Sequence, residues 1–353
     1  MSILNKVRRN VPKVQIQDLF LVVSGKPKVG KTTLFAEIAE RTVGLEKALI
    51  VATEPGYVAL DINVIDIDNY RDFEKLVEEL IKVKANGECP YEYLCLDTID
   101  KLWDQVEAQV IREYNVENPQ KRVKTLNQIP YGQGSNRAKR RLDEAIDKLR
   151  KAGFGIVAIT HSKQTSIEKD GQKFDMIQLS VPGKTKEVFI DAADLVVFID
   201  VQREVNENGE VVAQRYMIMR NDGFYEGGSR YPEIPEKIPY DVDLFVKSVE
   251  EGIKKSLKNG QSLQQLREQQ AKEREEKAVK YAQEATKTAE ELVAEIDALV
   301  VKMNQQQQVQ FAKTLQSEIG TAKYKTLTDE DIELLRQTLA MAKSVVKAKE
   351  AAQ

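Results

Sequence analysis

The chain has 353 residues, of which 42% are apolar and 31% charged, and its formal net charge is −3. That length suits one sizeable α/β domain with a smaller companion, and a charge so near neutrality excludes a broadly basic nucleic-acid binder, so any such contact must be local. Two cysteines, Cys89 and Cys95, make no disulfide framework, and with a single histidine, His161, they leave no set of structural zinc ligands. No apolar run approaches a membrane span and the first ten residues lack a signal-peptide core, so a cytoplasmic protein with no membrane partner is expected.

Residues 1–18 read as an N-terminal extension. The apolar run Leu19–Val23 follows, then Gly25-Lys26-Pro27-Lys28-Val29-Gly30-Lys31-Thr32, then helical spacing from Lys31 to Thr42 with Thr33 in its first turn. This is the phosphate-binding pattern G-x-x-x-x-G-K-[ST] set between a strand and a helix, where it has to be to work. Backbone N–H groups across residues 25–33 and the helix N-terminus present positive charge to phosphates. Lys31 reaches the β- and γ-phosphates, and the Thr32 hydroxyl takes one place on Mg²⁺.

Apolar strands at Ala48–Ala52, Tyr93–Asp97, Gly155–Thr160 and Leu195–Asp200 alternate with helical patterns at Arg71–Val83, Thr98–Tyr114 and Asn136–Ala152. Unbroken apolar strands separated by helices predict an α/β core, a mostly parallel sheet with helices on both faces. Turn signals at Glu168–Gln172 and Asn206–Glu210 predict antiparallel hairpins added at one edge. Residues 220–240, rich in Gly and Pro, read as irregular, and the ATPase domain is drawn over 19–250. Beyond it, 251–290 reads as a charged helical linker with a capping box at Ser262-Leu263-Gln264-Gln265, and 291–353 as a small helical domain. The stripe Leu292, Ile296, Leu299, Val300 and Met303 gives that domain a core face, Gly320 ends one helix and Thr328 starts the last.

The strand tips carry polar groups. Asp97 ends an apolar strand, where a carboxylate holds Mg²⁺ beside Thr32; as the residue before a helix it also reads as an N-cap. Glu54 follows the strand ending at Ala52, where in some P-loop families a carboxylate acts as general base on the attacking water; the other reading is an exposed loop glutamate. Thr160 and His161 end a further strand, where a polar side chain senses the γ-phosphate or simply packs. Arg230, in the Gly-rich segment after the fifth strand, suits an arginine finger reaching a neighbouring subunit's phosphate; Arg220 competes for that role, and a surface arginine is the plain alternative.

This order of features resembles the RecA-like ATPase core, and is most similar to the phage-encoded RecA-like proteins of the Sak type, single-strand annealing ATPases. Pro182-Gly183-Lys184, Ala192-Ala193-Asp194-Leu195-Val196-Val197 and Arg230-Tyr231-Pro232-Glu233-Ile234-Pro235-Glu236-Lys237-Ile238-Pro239 carry the rest of the likeness, which covers residues 19 to about 250. Related sequences often place a lysine two residues before the finger arginine; Gly228 stands there. The resemblance implies ATP and Mg²⁺ as ligands, catalytic roles for Lys31, Glu54, Asp97, His161 and Arg230, a ring or filament of identical subunits, and action on single-stranded DNA in an infected host's cytoplasm, alone or with a single-strand-binding protein. By position it implies two DNA loops. One spans about 115–136, with Lys121, Arg122, Lys124 and Tyr131 and, just beyond, Arg137. The other spans 162–186, with Lys163, Lys169, Lys173 and Phe174. Basic groups contact phosphates and aromatic rings stack on bases. A nucleotide-gated assembly protein, in which hydrolysis is incidental, is the second expectation.

Overall fold

A computed structural model describes residue 7 and residues 11–169, 172–205, 209–220, 223–257 and 262–350; at 167, 169, 172, 174 and 347–350 the backbone alone is described. The strands are β1 (Phe20–Gly25), β2 (Ala48–Ala52), β3 (Asn63–Asp66), β4 (Tyr93–Asp97), β5 (Gly155–Lys169), β6 (Gln172–Leu179), β7 (Leu195–Val205), β8 (Val211–Ile218), β9 (Gly228–Ser229) and β10 (Lys237–Pro239). The helices are α1 (Lys31–Thr42), α2 (Tyr70–Ala85), α3 (Ile99–Glu117), α4 (Gln133–Lys151), α5 (Gly183–Phe189), α6 (Val242–Ser256), α7 (Leu263–Ala285), α8 (Ala289–Val300), α9 (Gln305–Glu318) and α10 (Ile332–Glu350). Among the described residues no helix is long and apolar enough to cross a membrane.

The sheet runs β10-β8-β7-β1-β5-β4-β2-β3. From β7 to β3 neighbouring strands are parallel, whereas β8 and β10 add antiparallel strands at the far edge. This is the mostly parallel sheet with helices on both faces expected from the apolar runs. Every residue of β1, β2 and β4 is buried, which is why those strands are continuous apolar stretches in the sequence. β3 escapes that pattern. It is a four-residue edge strand with exposed positions, and Asn63 anchors it by donating to the carbonyls of Leu45, Glu46 and Ala48.

β5 and β7 run well past the expected ends. In β7 residues 195–199 are fully buried and residues 200–205 alternate between half-buried and exposed, as a strand does on leaving a covered sheet. The extensions form antiparallel hairpins with β6 and β8; only β7–β8 adds to the sheet edge as expected, whereas β6 pairs the extension of β5, a strand central in the sheet between β1 and β4. Turn residues 170, 171 and 206–208 lie outside the described residues.

Two compact units partition the chain: Val11–Ala282, and Gln283–Gln353 with the first ten residues. Residues 251–282, expected within a linker, therefore belong to the larger unit. α7 buries Leu266, Ala278 and Ala282. Glu275 pairs with the buried Lys84 at 2.7 Å, Arg274 pairs with Asp18, and Gln270 bonds to Val14 N and Pro12 O. Small residues and ion pairs hold this face, so it leaves no large apolar stripe in the sequence. The smaller unit packs α8, α9 and α10 around Leu292, Ile296, Phe311, Leu315, Leu335 and Leu339. Capping boxes at Thr288 and Asn304 start α8 and α9, and another at Thr328 precedes α10.

Gly153 sits at φ +83°, and a Cβ there would come within 2.7 Å of the Ala278 Cβ. Gly153→Val therefore meets both backbone strain and the face of α7. It should destabilise the larger unit by about 2–3 kcal/mol and lower its melting temperature by roughly 5–10 °C, read by calorimetry; an unchanged melting temperature would show that α7 does not need this contact.

Candidate nucleotide site

Register brings the polar tips together. Gly25 at the end of β1 lies opposite His161 on one side and Ile199 on the other, while Ala52 lies opposite Asp97 and Asp97 opposite Ile159. The loop after β1, Glu54 after β2, Asp97 at the end of β4 and His161 in β5 thus collect at the carboxyl edge of the parallel strands, where ligands bind in open α/β sheets.

The loop is already curled. Lys31, only 7% exposed, donates from Nζ to the carbonyls of Gly25 and Lys26 at 3.0 Å each. Burial draws its titration below the ordinary lysine value, opposed by Asp97, Asp100 and Glu54. Lys28 has φ +62° and Gly30 φ +105°; the second angle suits glycine, and a Cβ there would also meet Arg215 Nη1 and Tyr240 Oη at 3.0 Å. Gly30 is the N-cap of α1 and provides no side-chain cap, so no capping side chain covers the first-turn N–H groups where an anion would sit.

Thr32 Oγ1 donates to Asp97 Oδ2 at 2.7 Å, and Asp97 is 4% exposed. Desolvation raises the Asp97 carboxyl above the usual range, against the Thr32 hydrogen bond. A hydroxyl and a carboxylate in contact are hard oxygen ligands suited to Mg²⁺ completed by phosphate and water. Gly56 leaves that corner open: a Cβ there would stand 3.2 Å from Asp97 Oδ2 and 3.4 Å from Thr32 Oγ1. These residues fit the ion. Thr53 fixes the adjoining chain, its hydroxyl accepting from Thr98 N at 2.9 Å and donating to Thr98 O at 3.1 Å.

Glu54 and His161 face each other, with Oε1 3.7 Å from Nε2. On the other side of the ring Nδ1 is 2.8 Å from Asp100 Oδ2, which also accepts from His161 N at 3.1 Å, while Asp100 Oδ1 accepts from Thr160 Oγ1 at 2.5 Å. The Asp100 hydrogen bond raises the histidine's titration, against burial and Lys31. The His161 carbonyl accepts from Ser180 N at 2.7 Å, which closes the base of the β5–β6 hairpin beside the site.

Asp100, Thr53, Arg215 and Tyr240 were not singled out from the sequence. Asp100 lies in the first turn of α3, where an acid reads as a helix-dipole residue. Arg215 from β8 and Tyr240 after β10 back the loop: Tyr240 Oη donates to Gly30 O at 2.8 Å, and the Arg215 guanidinium lies 4.2 Å from the Tyr240 ring centroid. No local motif marks two residues 25 positions apart that meet only through strand pairing.

The arginines expected as fingers lie elsewhere. Arg230 donates to the carbonyls of Ala193 (2.9 Å) and Asp191 (2.7 Å) beside the start of β7, away from Lys31. Arg220 points its guanidinium at the carbonyls of Tyr231, Pro232 and Ile234. Of the expected DNA residues, Lys121, Arg122, Lys124 and Tyr131 are exposed on the loop before α4, and Lys163 and Lys173 on the hairpin. Arg137 pairs with Glu117 at 3.2 Å. The side chains of Lys169 and Phe174 lie outside the described residues.

Because the Asp97 carboxyl is raised in the folded chain, the native state holds a proton more tightly than the unfolded one. Stability without ligand should therefore rise as pH falls through the raised native value towards 3.8, the ordinary value. At pH 7 Asp97→Asn should raise the melting temperature of the free protein while removing the Mg²⁺-dependent part of the stabilisation by ATP, which for the parent at a hundred times Kd is about 2.7 kcal/mol. Thermal shift with and without Mg²⁺ reads both effects, and a variant stabilised by Mg²⁺ and ATP like the parent would remove Asp97 from the metal site.

No curated protein matches this chain. The family model described as the AAA domain matches residues 18–231, more than half of it. That span contains the loop, Glu54, Asp97, Asp100 and His161, and the chain belongs to the AAA domain family of P-loop NTPases, whose general chemistry is nucleotide binding and hydrolysis.

Proposed function

We propose that this protein is a Mg²⁺-dependent ATPase that acts on single-stranded DNA in phage recombination or replication, including strand annealing. The observation that carries the reading is the placement of Glu54, after β2, and His161, in β5, face to face across the end of β4 beside Lys31 and the Thr32–Asp97 pair. Mg²⁺, when bound, neutralises phosphate charge. Lys31 turns from the Gly25 and Lys26 carbonyls to the phosphates. Glu54 takes the proton of the attacking water, and His161, when its Nε2 is protonated, donates towards the γ-phosphate. The Arg215–Tyr240 pair behind the loop offers a stacked surface to the nucleoside.

Support for the DNA part comes from Tyr131. It is 95% exposed and held at φ +59° between Pro130 and Gly132, although Leu126 and Ile129 in the same loop are buried. Asn115 brackets Val123 with hydrogen bonds of 2.9 and 2.7 Å, so the loop is built rather than slack. An aromatic ring held in solvent on the loop that also exposes Lys121, Arg122 and Lys124 suits sequence-independent stacking on bases. A cleft of about 410 Å³ lies between this loop and α5, lined in part by Trp103, Asn127 and Lys184.

The second reading is nucleotide-gated assembly of identical subunits, with hydrolysis incidental. Both finger candidates are engaged by carbonyls of their own chain, which favours slow chemistry until a neighbour, a single-strand-binding protein or DNA rearranges them.

ATP turnover and DNA binding with and without single-stranded DNA separate these readings. Lys31→Ala should lose nucleotide binding and turnover together. Glu54→Gln should keep binding and lose about 100-fold or more in turnover; a parental rate removes the base assignment. Tyr131→Ala should weaken DNA binding by about 1–3 kcal/mol, and a parent that neither shifts DNA nor speeds up with it sinks the DNA reading. Annealing supported equally by ATP and a non-hydrolysable analogue would favour the assembly reading.

A further inference from the structure

Asp100 is the polar group around the phosphate site that the proposed hydrolysis leaves without a task. An ionised carboxylate only accepts hydrogen bonds. Asp100 accepts one from Thr160 Oγ1 and one from His161 N, and it stands 2.8 Å from His161 Nδ1. Nδ1 must therefore carry a hydrogen in both charge states of the ring. Nε2 is left as the nitrogen that gains or loses a proton, and it is the one that faces Glu54. Asp100 enters this position in the first turn of α3, three residues after Asp97. One short segment therefore carries both the carboxylate beside Thr32 and the carboxylate beside His161.

We propose that Asp100 is a positioning residue for the nucleotide chemistry: it fixes the tautomer and orientation of His161, so that Nε2 is presented to Glu54 and to the terminal phosphate. This rests on the ATPase reading of the same site. The plain alternative is an acid that merely steadies the start of α3, a contribution that would leave the imidazole unchanged.

The charged groups facing His161 are Asp100 from α3, Glu54 from the tip of β2 and Lys31 from α1. Asp97, at the end of β4, is close enough to be influenced by the ring. Without Asp100, burial and Lys31 lower the ring's titration, and only Glu54 and Asp97 oppose them.

The chain's single histidine makes the test direct, because the imidazole resonances need no assignment. In the parent, the nuclear magnetic resonance titration should lie above the ordinary 6.5, with Nδ1 protonated in the neutral form. In Asp100→Ala the acceptor for Nδ1–H is gone, so the titration should fall and the neutral ring should no longer be held with its hydrogen on Nδ1. Turnover should drop about 10- to 100-fold, with KM for ATP changed by less than about twofold. In a His161→Ala background the same substitution should cost nothing further. Thr160→Val removes one donor to Asp100 but not the ring contact, and should leave the titration near the parent's.

An unchanged titration and tautomer in Asp100→Ala would overturn the proposal. So would an equal loss of turnover with and without His161. If the parent does not hydrolyse ATP, the ATPase reading fails, and the resonance titration alone decides whether Asp100 positions the ring.

Discussion

The site depends on a buried ammonium. Lys31 sits at the start of α1 behind a loop that must bend tightly enough to bring its N–H groups to one point, and without a ligand its charge is taken up by the carbonyls of Gly25 and Lys26. An unpaired charge in so closed a position would cost several kcal/mol, so these two hydrogen bonds are the condition for the loop to exist in this shape. They also set what can displace them. A phosphate sets full negative charge against the ammonium where the carbonyls offer only dipoles, so exchanging carbonyls for phosphate oxygens is favourable. The Arg215–Tyr240 stack against Val29 and Gly30 braces the outer side.

Around Lys31 the charges do not balance. Asp97, Glu54 and Asp100 converge on a site whose own nearby cations are Lys31 and His161, and burial raises Asp97 rather than lowering it. Carboxylates gathered with so little compensation suit a divalent cation that arrives with the nucleotide, since each partner then supplies the charge the other lacks. The same imbalance explains the grip of Asp100 on His161: a ring whose titration Asp100 raises on one side can meet Glu54 on the other.

Much of the core was legible because burial on both faces writes itself as unbroken apolar runs. β1, β2 and β4 and the loop after β1 follow from local sequence, as does the order of polar residues at the strand tips. What local sequence hides is whatever is stabilised by partners distant along the chain. β3 is an exposed edge strand held by Asn63. The face of α7 past Leu266 is built from Ala278, Ala282 and ion pairs rather than from further leucines. Arg215 and Tyr240 reach the loop only because β8 and β10 pair at the sheet edge. Asp100 looks like an ordinary first-turn acid until β5 lies beside β4 and brings His161 to it. Tyr131 stays in solvent because its loop buries Leu126 and Ile129 instead, a choice that local sequence does not reveal.

The arginine question turns on energy rather than on position. Arg230 keeps a side chain 58% exposed while it donates to two carbonyls and lies 3.9 Å from Asp194. Leaving those bonds to reach a neighbour's phosphate forfeits about 1.5–3 kcal/mol for each bond made by a charged donor. A phosphate can repay that, because its own bonds to a guanidinium are charge-assisted and bidentate. Arg220 would have to abandon three carbonyls around a guanidinium whose Nε is already buried without a partner, a larger loss for the same gain. Of the two, Arg230 is the one that can be recruited at a subunit boundary while the chain around it stays folded, and Arg220 is better understood as the tie that holds residues 231–234 against the end of β8.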